Sequence, residues 1–281
     1  MRTPLPMITA GLLAASLGSA QAQQGVSLAI GLTDFTTWTL MGSASAANQT
    51  PGNGFTYSQL FLTSTGTGGQ TGAGFAPVAL AIDFNQAFAF DFHFYLPVST
   101  DLRGDGMSFT LTSAPALGDG GSGLGYQGIG QASVAFAIDT FHFDGEPVSP
   151  SLQILQSGSV TPLAFTETGL GDSIRDPDFQ WYASVNYQPS GANDNSGMLS
   201  GRIEHLNLGS FEVSAAINFD TLGLAGNPVY YGFTAGNGLA TDGHIVTSAV
   251  PVPEPQTWAL MLSGLGLLGW LAGRRRVAPQ G

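Results

Sequence analysis

Acidic side chains carry most of the chemistry open to this chain: there are 19, against seven arginines, no lysine, no cysteine and four histidines. Without cysteine, a disulfide framework and a thiolate metal site are excluded. His93, His142, His205 and His244 are scattered, with no metal-ligand spacing. Carboxylates hydrolyse a glycoside only as a pair, about 5 Å apart for retention or roughly 6.5–9.5 Å for inversion. On one strand such a pair reads Glu-x-Asp or Glu-x-x-x-Glu. Neither occurs, and Glu204 and Glu212 fall on separate segments. There is no G-x-S-x-G and no H-E-x-x-H. An enzyme is therefore not expected. A carboxylate can also simply bind, because it accepts strong hydrogen bonds from hydroxyl groups.

One stretch, Leu102 to Phe143, gathers the parts of a binding site. Gly104-Asp105-Gly106 makes a turn that opens into an alternating segment. Met107, Phe109 and Leu111 lie on one face, Ser108 and Thr110 on the other. A glycine-rich loop, Gly118 to Gly130, follows, and backbone N–H groups at glycine can approach a ligand closely. A second alternating segment, Ser133 to Phe143, carries Asp139. Asp105 is a ligand acceptor or a turn residue, since Asp beside Gly favours turns. Asp139 is a metal ligand or a buried carboxylate held by neighbouring donors. Gly123 to Gly128 fits G-x-G-x-x-G, but no strand precedes it and a strand, not a helix, follows, so dinucleotide binding is rejected. Asp176-Pro177-Asp178 and Asn193-Asp194-Asn195 read as polar turns.

These parts need rigid elements to hold them, and the chain is β-like throughout. Gln86 to Leu96 shows this most clearly: Phe88, Phe90, Phe92, Phe94 and Leu96 alternate with Ala87, Ala89, Asp91, His93 and Tyr95. Period two over that length is a half-buried strand. Its phenylalanine face requires an opposing apolar layer about 10 Å away. Further strands are expected at Phe35–Met41, Tyr57–Thr63, Leu152–Leu155, Leu163–Thr166, Phe179–Tyr187, Leu199–Leu208, Phe211–Phe219 and Val229–Thr234. No amphipathic helix is visible between Gln23 and Val250. One all-β sandwich domain, 23–249, is the economical reading.

Both ends differ from the body. Met1 to Ala22 has Arg2, an apolar run from Met7 to Leu17 and small residues at Ala20 and Ala22, the pattern of a secretory signal helix. At the other end, residues 250–281 hold Pro251, Pro253 and Pro255 around Glu254, then an uncharged apolar segment, Trp258 to Ala272, then Arg274, Arg275 and Arg276. The apolar segment reads as a transmembrane helix of about 22 Å, with the arginines on the cytoplasmic side. The body between has only Arg103, Arg175 and Arg202, and the formal net charge is −12. So acidic a surface repels nucleic acid and anionic membranes. Neutral polymers and small neutral ligands remain as partners.

The order Pro253-Glu254-Pro255, apolar helix, Arg274-Arg275-Arg276 resembles a PEP-CTERM sorting signal. The resemblance implies a passing stay in the inner membrane, cleavage near Pro255 by an exosortase-type enzyme, and delivery to the cell surface or exopolysaccharide matrix. The body resembles the legume-type (L-type) lectins. The matching pieces are Gly42-Ser43-Ala44, Leu60 to Gly72, Asp105 to Phe109, Leu124-Gly125, Val134 to Phe141 and Tyr231 to Ala235, with His244 beyond. That resemblance implies a concanavalin-like jelly roll of two antiparallel sheets that binds sugars. It assigns sugar contacts to Asp105, to backbone N–H groups at Gly123 and Gly125, and to the loop Gly236–Asp242, which includes Thr241. Phe143 or Tyr126 would pack the apolar face of the ring. It also implies a two-metal site, but the family's glutamate falls at Ala137, its asparagine at Phe143 (with Asp144 one residue on) and its histidine at Ser151. Only Asp139 is left, and calcium needs several oxygen ligands. Calcium stays open, no cofactor is assigned, and binding of a neutral saccharide is expected to be weak. The alternatives are a matrix scaffold whose lectin-like site no longer binds and, further off, a jelly-roll glycosidase.

Overall fold

The computed structural model describes residues 26–29, 33–49, 57–98, 102–175 and 181–248. The expected signal (1–22), the Asp176-Pro177-Asp178 turn and the whole C-terminal tail with Pro253, Glu254, Pro255, Arg274, Arg275 and Arg276 lie outside them. Fifteen strands occur among the described residues. The first five are β1 (Val26–Ala29), β2 (Thr39–Gly42), β3 (Ser45–Gln49), β4 (Tyr57–Thr63) and β5 (Thr71–Phe75). Next come β6 (Phe88–Tyr95), β7 (Gly106–Thr112), β8 (Ser133–Asp139), β9 (Ser151–Gln156) and β10 (Ala164–Glu167). The last are β11 (Trp181–Pro189), β12 (Ser196–His205), β13 (Gly209–Asn218), β14 (Tyr230–Gly236) and β15 (His244–Thr247). The only helical segments described are three 3-10 turns of three to five residues.

The strands form two sheets. One runs β13-β12-β11-β6-β15-β4-β3, with β1 beside β6; the other runs β10-β9-β8-β7-β14-β5-β2. Pairing is antiparallel apart from β1 with β6, where Val26 stands opposite Phe88. The phenylalanine stripe of β6 faces the second sheet, as its alternation requires. Phe90 meets Phe109 at 4.9 Å and Tyr231 at 5.4 Å between ring centroids, and Phe92 meets Phe233 at 4.8 Å. Each such buried side chain contributes roughly 1.5–3 kcal/mol. This is the core that holds β7 and β14 in place.

The second sheet also has a core on its other face. Leu124, Tyr126 and Ile129 of the glycine-rich loop pack onto Phe75, Ala135, Ala137 and Leu155. Every residue of β7 and β8 is therefore buried. The polar alternates of β7 are satisfied inside: Ser108 Oγ bonds Thr110 Oγ1 and Thr234 Oγ1, each at 2.8 Å, and Thr234 donates to the Leu124 carbonyl at 2.8 Å. Buried hydroxyls need such partners. Here they fix the loop to the sheet.

Several boundaries differ from the sequence reading. Phe35–Thr37 is a 3-10 turn rather than strand, because the Asp34 carboxylate accepts the Thr36 N–H at 3.0 Å and caps it. The Ser133 strand stops at Asp139, and Leu199–Leu208 starts at Ser196 and stops at His205. β3, β5 and β15 were not expected. β5 reads Thr-Gly-Ala-Gly-Phe, weak in strand formers. Its glycines are there because a Cβ on Gly72 would lie 2.0 Å from the Leu62 carbonyl oxygen. β15 has four residues, too few to show a period. Its His244 is fully buried, 2.7 Å from Thr63 Oγ1, and burial pushes the imidazole down to about 3.

Candidate functional site

Asp105 sits at the mouth of β7. Its N–H donates to the Gly236 carbonyl at 3.0 Å, and its carbonyl accepts from the Thr140 N–H at 2.8 Å and the Thr140 hydroxyl at 3.1 Å. The backbone is thus held from both neighbours, β14 and the end of β8. The side chain is 7% exposed. One carboxylate oxygen, Oδ2, has neither a hydrogen-bond partner nor contact with solvent. Burial pushes the carboxyl up to about 6, partly offset by the approach of the Gly238 backbone N–H, which falls short of a full hydrogen bond, and the charges of Glu146 and Asp242 push the same way as burial.

Two glycine backbones roof this oxygen. Gly121, at φ +59°, faces it so closely that a Cβ would lie 3.7 Å from Oδ2 and 4.0 Å from the Gly238 Cα. A Cβ on Gly238 would lie 3.0 Å from Oδ2. Side chains at either position would narrow the approach.

The glycine-rich loop is arranged differently from expectation. The N–H of Gly123 donates to the Gly120 carbonyl at 3.0 Å, and that of Gly125 to the Asp119 carbonyl at 2.8 Å. Both are taken within the loop, because buried backbone donors must find acceptors and the loop folds on itself to supply them. Gly121, which the sequence did not single out, is the residue that faces Asp105. Tyr126 is fully buried, with its hydroxyl 3.1 Å from Ser133 Oγ, so it cannot reach a ligand. Phe143 is 58% exposed, its ring 6.1 Å from that of Phe141. Phe141 in turn lies against Gly104, where a Cβ would be 3.5 Å from its own Cβ. Leu239, in the 236–243 loop, is 93% exposed. Thr241, lower in that loop, is half-buried, and its carbonyl accepts the Gly66 N–H at 2.8 Å. Asp105 therefore lies between Gly121 of the glycine loop and Gly238 of the 236–243 loop, with Phe143 and Leu239 exposed on neighbouring loops.

Asp139 stands opposite Gly106 on the adjacent strand. Its Oδ1 accepts from the Phe141 N–H and from Ser149 Oγ, both at 3.1 Å, and its Oδ2 accepts from Gln153 Nε2 at 2.8 Å. Burial, with the Glu146 charge added, pushes this carboxyl up to about 7. Ala137 is buried in the outer core, and Ser151 accepts a hydrogen bond from Gln153 Nε2 at 3.0 Å. Both Asp139 oxygens already hold protein donors, and Ala137 and Ser151 offer no charged ligand. These residues do not fit a two-metal site. Among the described residues, no group of three or more His, Asp or Glu side chains is placed to hold a metal ion.

Residues 251–276 match the PEP-CTERM protein-sorting motif. No curated protein matches the chain. In fold it is similar to the lectin from Bauhinia forficata in complex with GalNAc, with a TM-score of 0.60 and 17% identity over 77% of this chain and 92% of that one. Arcelin-5, a lectin-like defence protein from Phaseolus vulgaris, gives 0.56 and 18% over 76% and 90%. The exoplasmic/lumenal domain of VIP36, in a Ca2+/Man3GlcNAc-bound form, gives 0.51 and 18% over 79% and 89%. With its two facing sheets, this chain is an L-type lectin-like jelly-roll sandwich that carries a PEP-CTERM sorting motif at its C-terminal end.

Proposed function

We propose that the protein is exported and binds a neutral saccharide, such as a segment of exopolysaccharide, at the mouth over Asp105. The observation that carries this reading is the Asp105 Oδ2 acceptor, held in place and lacking a donor. Leaving a buried acceptor unsatisfied costs about 1–3 kcal/mol. A saccharide hydroxyl supplies the missing donor through a charge-assisted bond. The loops 120–123 and 237–241 part to admit it, and Phe143 and Leu239 cover the apolar edge of the ring. Thr241 contributes from the loop that shapes the rim, and Gly123 and Gly125 let the opposite loop fold back on itself, with Gly125 seated close against Ala235 of β14. The acidic surroundings, with Glu146 nearby and a formal net charge of −12, disfavour anionic sugars. Nothing in this mouth requires bond cleavage, so the reading is of a binder and not of an enzyme.

The sorting motif supports export, with an exosortase-type enzyme removing the tail near Pro255. Arg274, Arg275 and Arg276 stay on the cytoplasmic side until then. Mass spectrometry of surface and released material should find no peptides beyond about Pro255. Intact 274–281 peptides in that fraction would count against tail removal.

A glycan array with the parent protein and Asp105→Asn tests the site. Binding of neutral glycans that falls in Asp105→Asn supports it. Equal binding by both proteins removes Asp105 from the site. No binding by either leaves the fold as a matrix scaffold.

A further inference from the structure

If metal ions do not hold the loops around Asp105, something else must. Beneath the mouth lies a chain of four charged side chains. Arg175, 5% exposed, reaches Asp242, 1% exposed, with Nη1 at 3.3 Å from Oδ1 and 3.4 Å from Oδ2. Arg175 Nη2 bonds Asp172 Oδ1 at 2.9 Å, and Arg103 Nη1 approaches the same oxygen at 3.4 Å. Two of its members, Asp242 and Arg103, also grip loops of the mouth. Asp242 Oδ2 accepts the N–H of Gly104, the residue before Asp105, at 3.2 Å. The Asp242 carbonyl accepts from Thr63 Oγ1 at 3.0 Å and from Asn237 Nδ2 at 3.2 Å. Arg103 donates through Nε to the Thr140 carbonyl at 3.1 Å and through Nη2 to the Ser149 carbonyl at 3.5 Å. Segments 102–105, 139–149, 171–175 and 236–243 are thereby tied to one another.

The chain carries only three arginines between its ends, and two of them are in this cluster. In an interior where a charge is costly, a buried arginine is retained only if its partners are fixed. The guanidinium suits the task because it presents several donors in one rigid plane. Asp139 has the complementary arrangement. Instead of a cation, it gathers Ser149, Gln153 and the Phe141 N–H, and so fixes the 140–149 loop from the other side.

We propose that the Arg175–Asp242 pair, extended through Asp172 and Arg103, replaces divalent metal ions as the brace of the binding loops, and that Arg175, Asp242 and Arg103 are positioning residues of a metal-independent site. That the site takes a saccharide rests on the reading above; the bracing of the loops does not.

Amide hydrogen exchange on the full chain, followed by mass spectrometry, tests this in EDTA and in millimolar calcium. Protection of 102–105, 139–149 and 236–243 should be the same in both. Arg175→Met should raise exchange in these segments about tenfold while β6 and β11 keep their protection, and Arg175→Lys should restore part of it. Asp242→Asn keeps the side-chain shape and should loosen 102–105 in the same direction. If any glycan binds the parent, binding should persist in EDTA and fall in Arg175→Met. Calcium that tightens the three segments in the parent overturns the proposal, whether or not the variants fold. So does unchanged exchange in both Arg175→Met and Asp242→Asn. Parent protein that behaves as expected in exchange but binds no glycan overturns the saccharide reading and leaves the brace.

Discussion

Asp105 and Asp139 are two buried carboxylates on neighbouring strands, and they have opposite arrangements. Both are more than nine-tenths buried, and both are pushed above the ordinary carboxylate range, to about 6 and about 7. Glu146 adds its charge to each. Yet Asp139 has three protein donors on its two oxygens, while Asp105 keeps Oδ2 without one. Burial alone therefore does not distinguish a structural acid from a binding one. The distinction is whether the protein itself completes the hydrogen bonds. Asp139 is an internal fastener, whereas Asp105, on the proposed function, is the acceptor for a group from outside.

The contrast makes its largest prediction at Asp139. Asp139→Ala strands three donors at once, each costing about 1–3 kcal/mol and not additively, so chemical denaturation should show a loss of about 3 kcal/mol. A variant as stable as the parent would erase the distinction from one side. At Asp105 the effects should fall on binding instead. Asp105→Asn removes one charge-assisted bond, about 2 kcal/mol or roughly 30-fold in affinity, with little change in the denaturation midpoint. A large stability loss there would make Asp105 a fastener as well.

Acidity should separate stability from binding. Both carboxyls titrate higher in the folded chain than in the unfolded one, so between about pH 4 and 7 the folded state holds more protons. Stability therefore rises as pH falls from 7.5 toward 5, by something on the order of 1–2 kcal/mol after relaxation of the site. Saccharide binding should move the other way, falling as pH drops through about 6, because Asp105 loses the charge that accepts the hydroxyl. Thermal melts and binding isotherms at pH 7.5 and 5 check both signs. Melts that fall together with binding would show that neither carboxyl is raised in the folded chain. The smallest effect belongs to the rim. Phe143→Ala should weaken binding by about 1 kcal/mol, close to fivefold, and leave stability unchanged. No change in affinity would place the ring of the saccharide elsewhere, beside Leu239.

Much of the fold was readable from local pattern. The period-two stripe of Phe88 to Phe94 demanded a facing sheet, and β7 and β14 supply it. The two strands around the glycine loop also lie where their alternation put them, the second ending at Asp139 rather than Phe143, while the expected turn at Gly104-Asp105 is extended chain leading into β7. Less of the site was readable. Glycine content could show that the loop is rich in bare backbone, and the lectin resemblance pointed to Gly123 and Gly125, but neither could show which N–H groups the loop uses itself, so Gly121 and Gly238 did not stand out. Arg175 and Asp242, 67 residues apart, carried no signal at all. Sequence alone also determined the tail and its sorting motif, because an apolar run bounded by Pro-Glu-Pro and arginines is local information. It determined the sandwich as well, because side-chain alternation is a property of neighbouring residues. Tertiary structure decided which carboxylate is satisfied, which glycine faces it and which ion pair braces it. Those depend on distances between segments that are remote along the chain, and residue type and local spacing do not encode such distances.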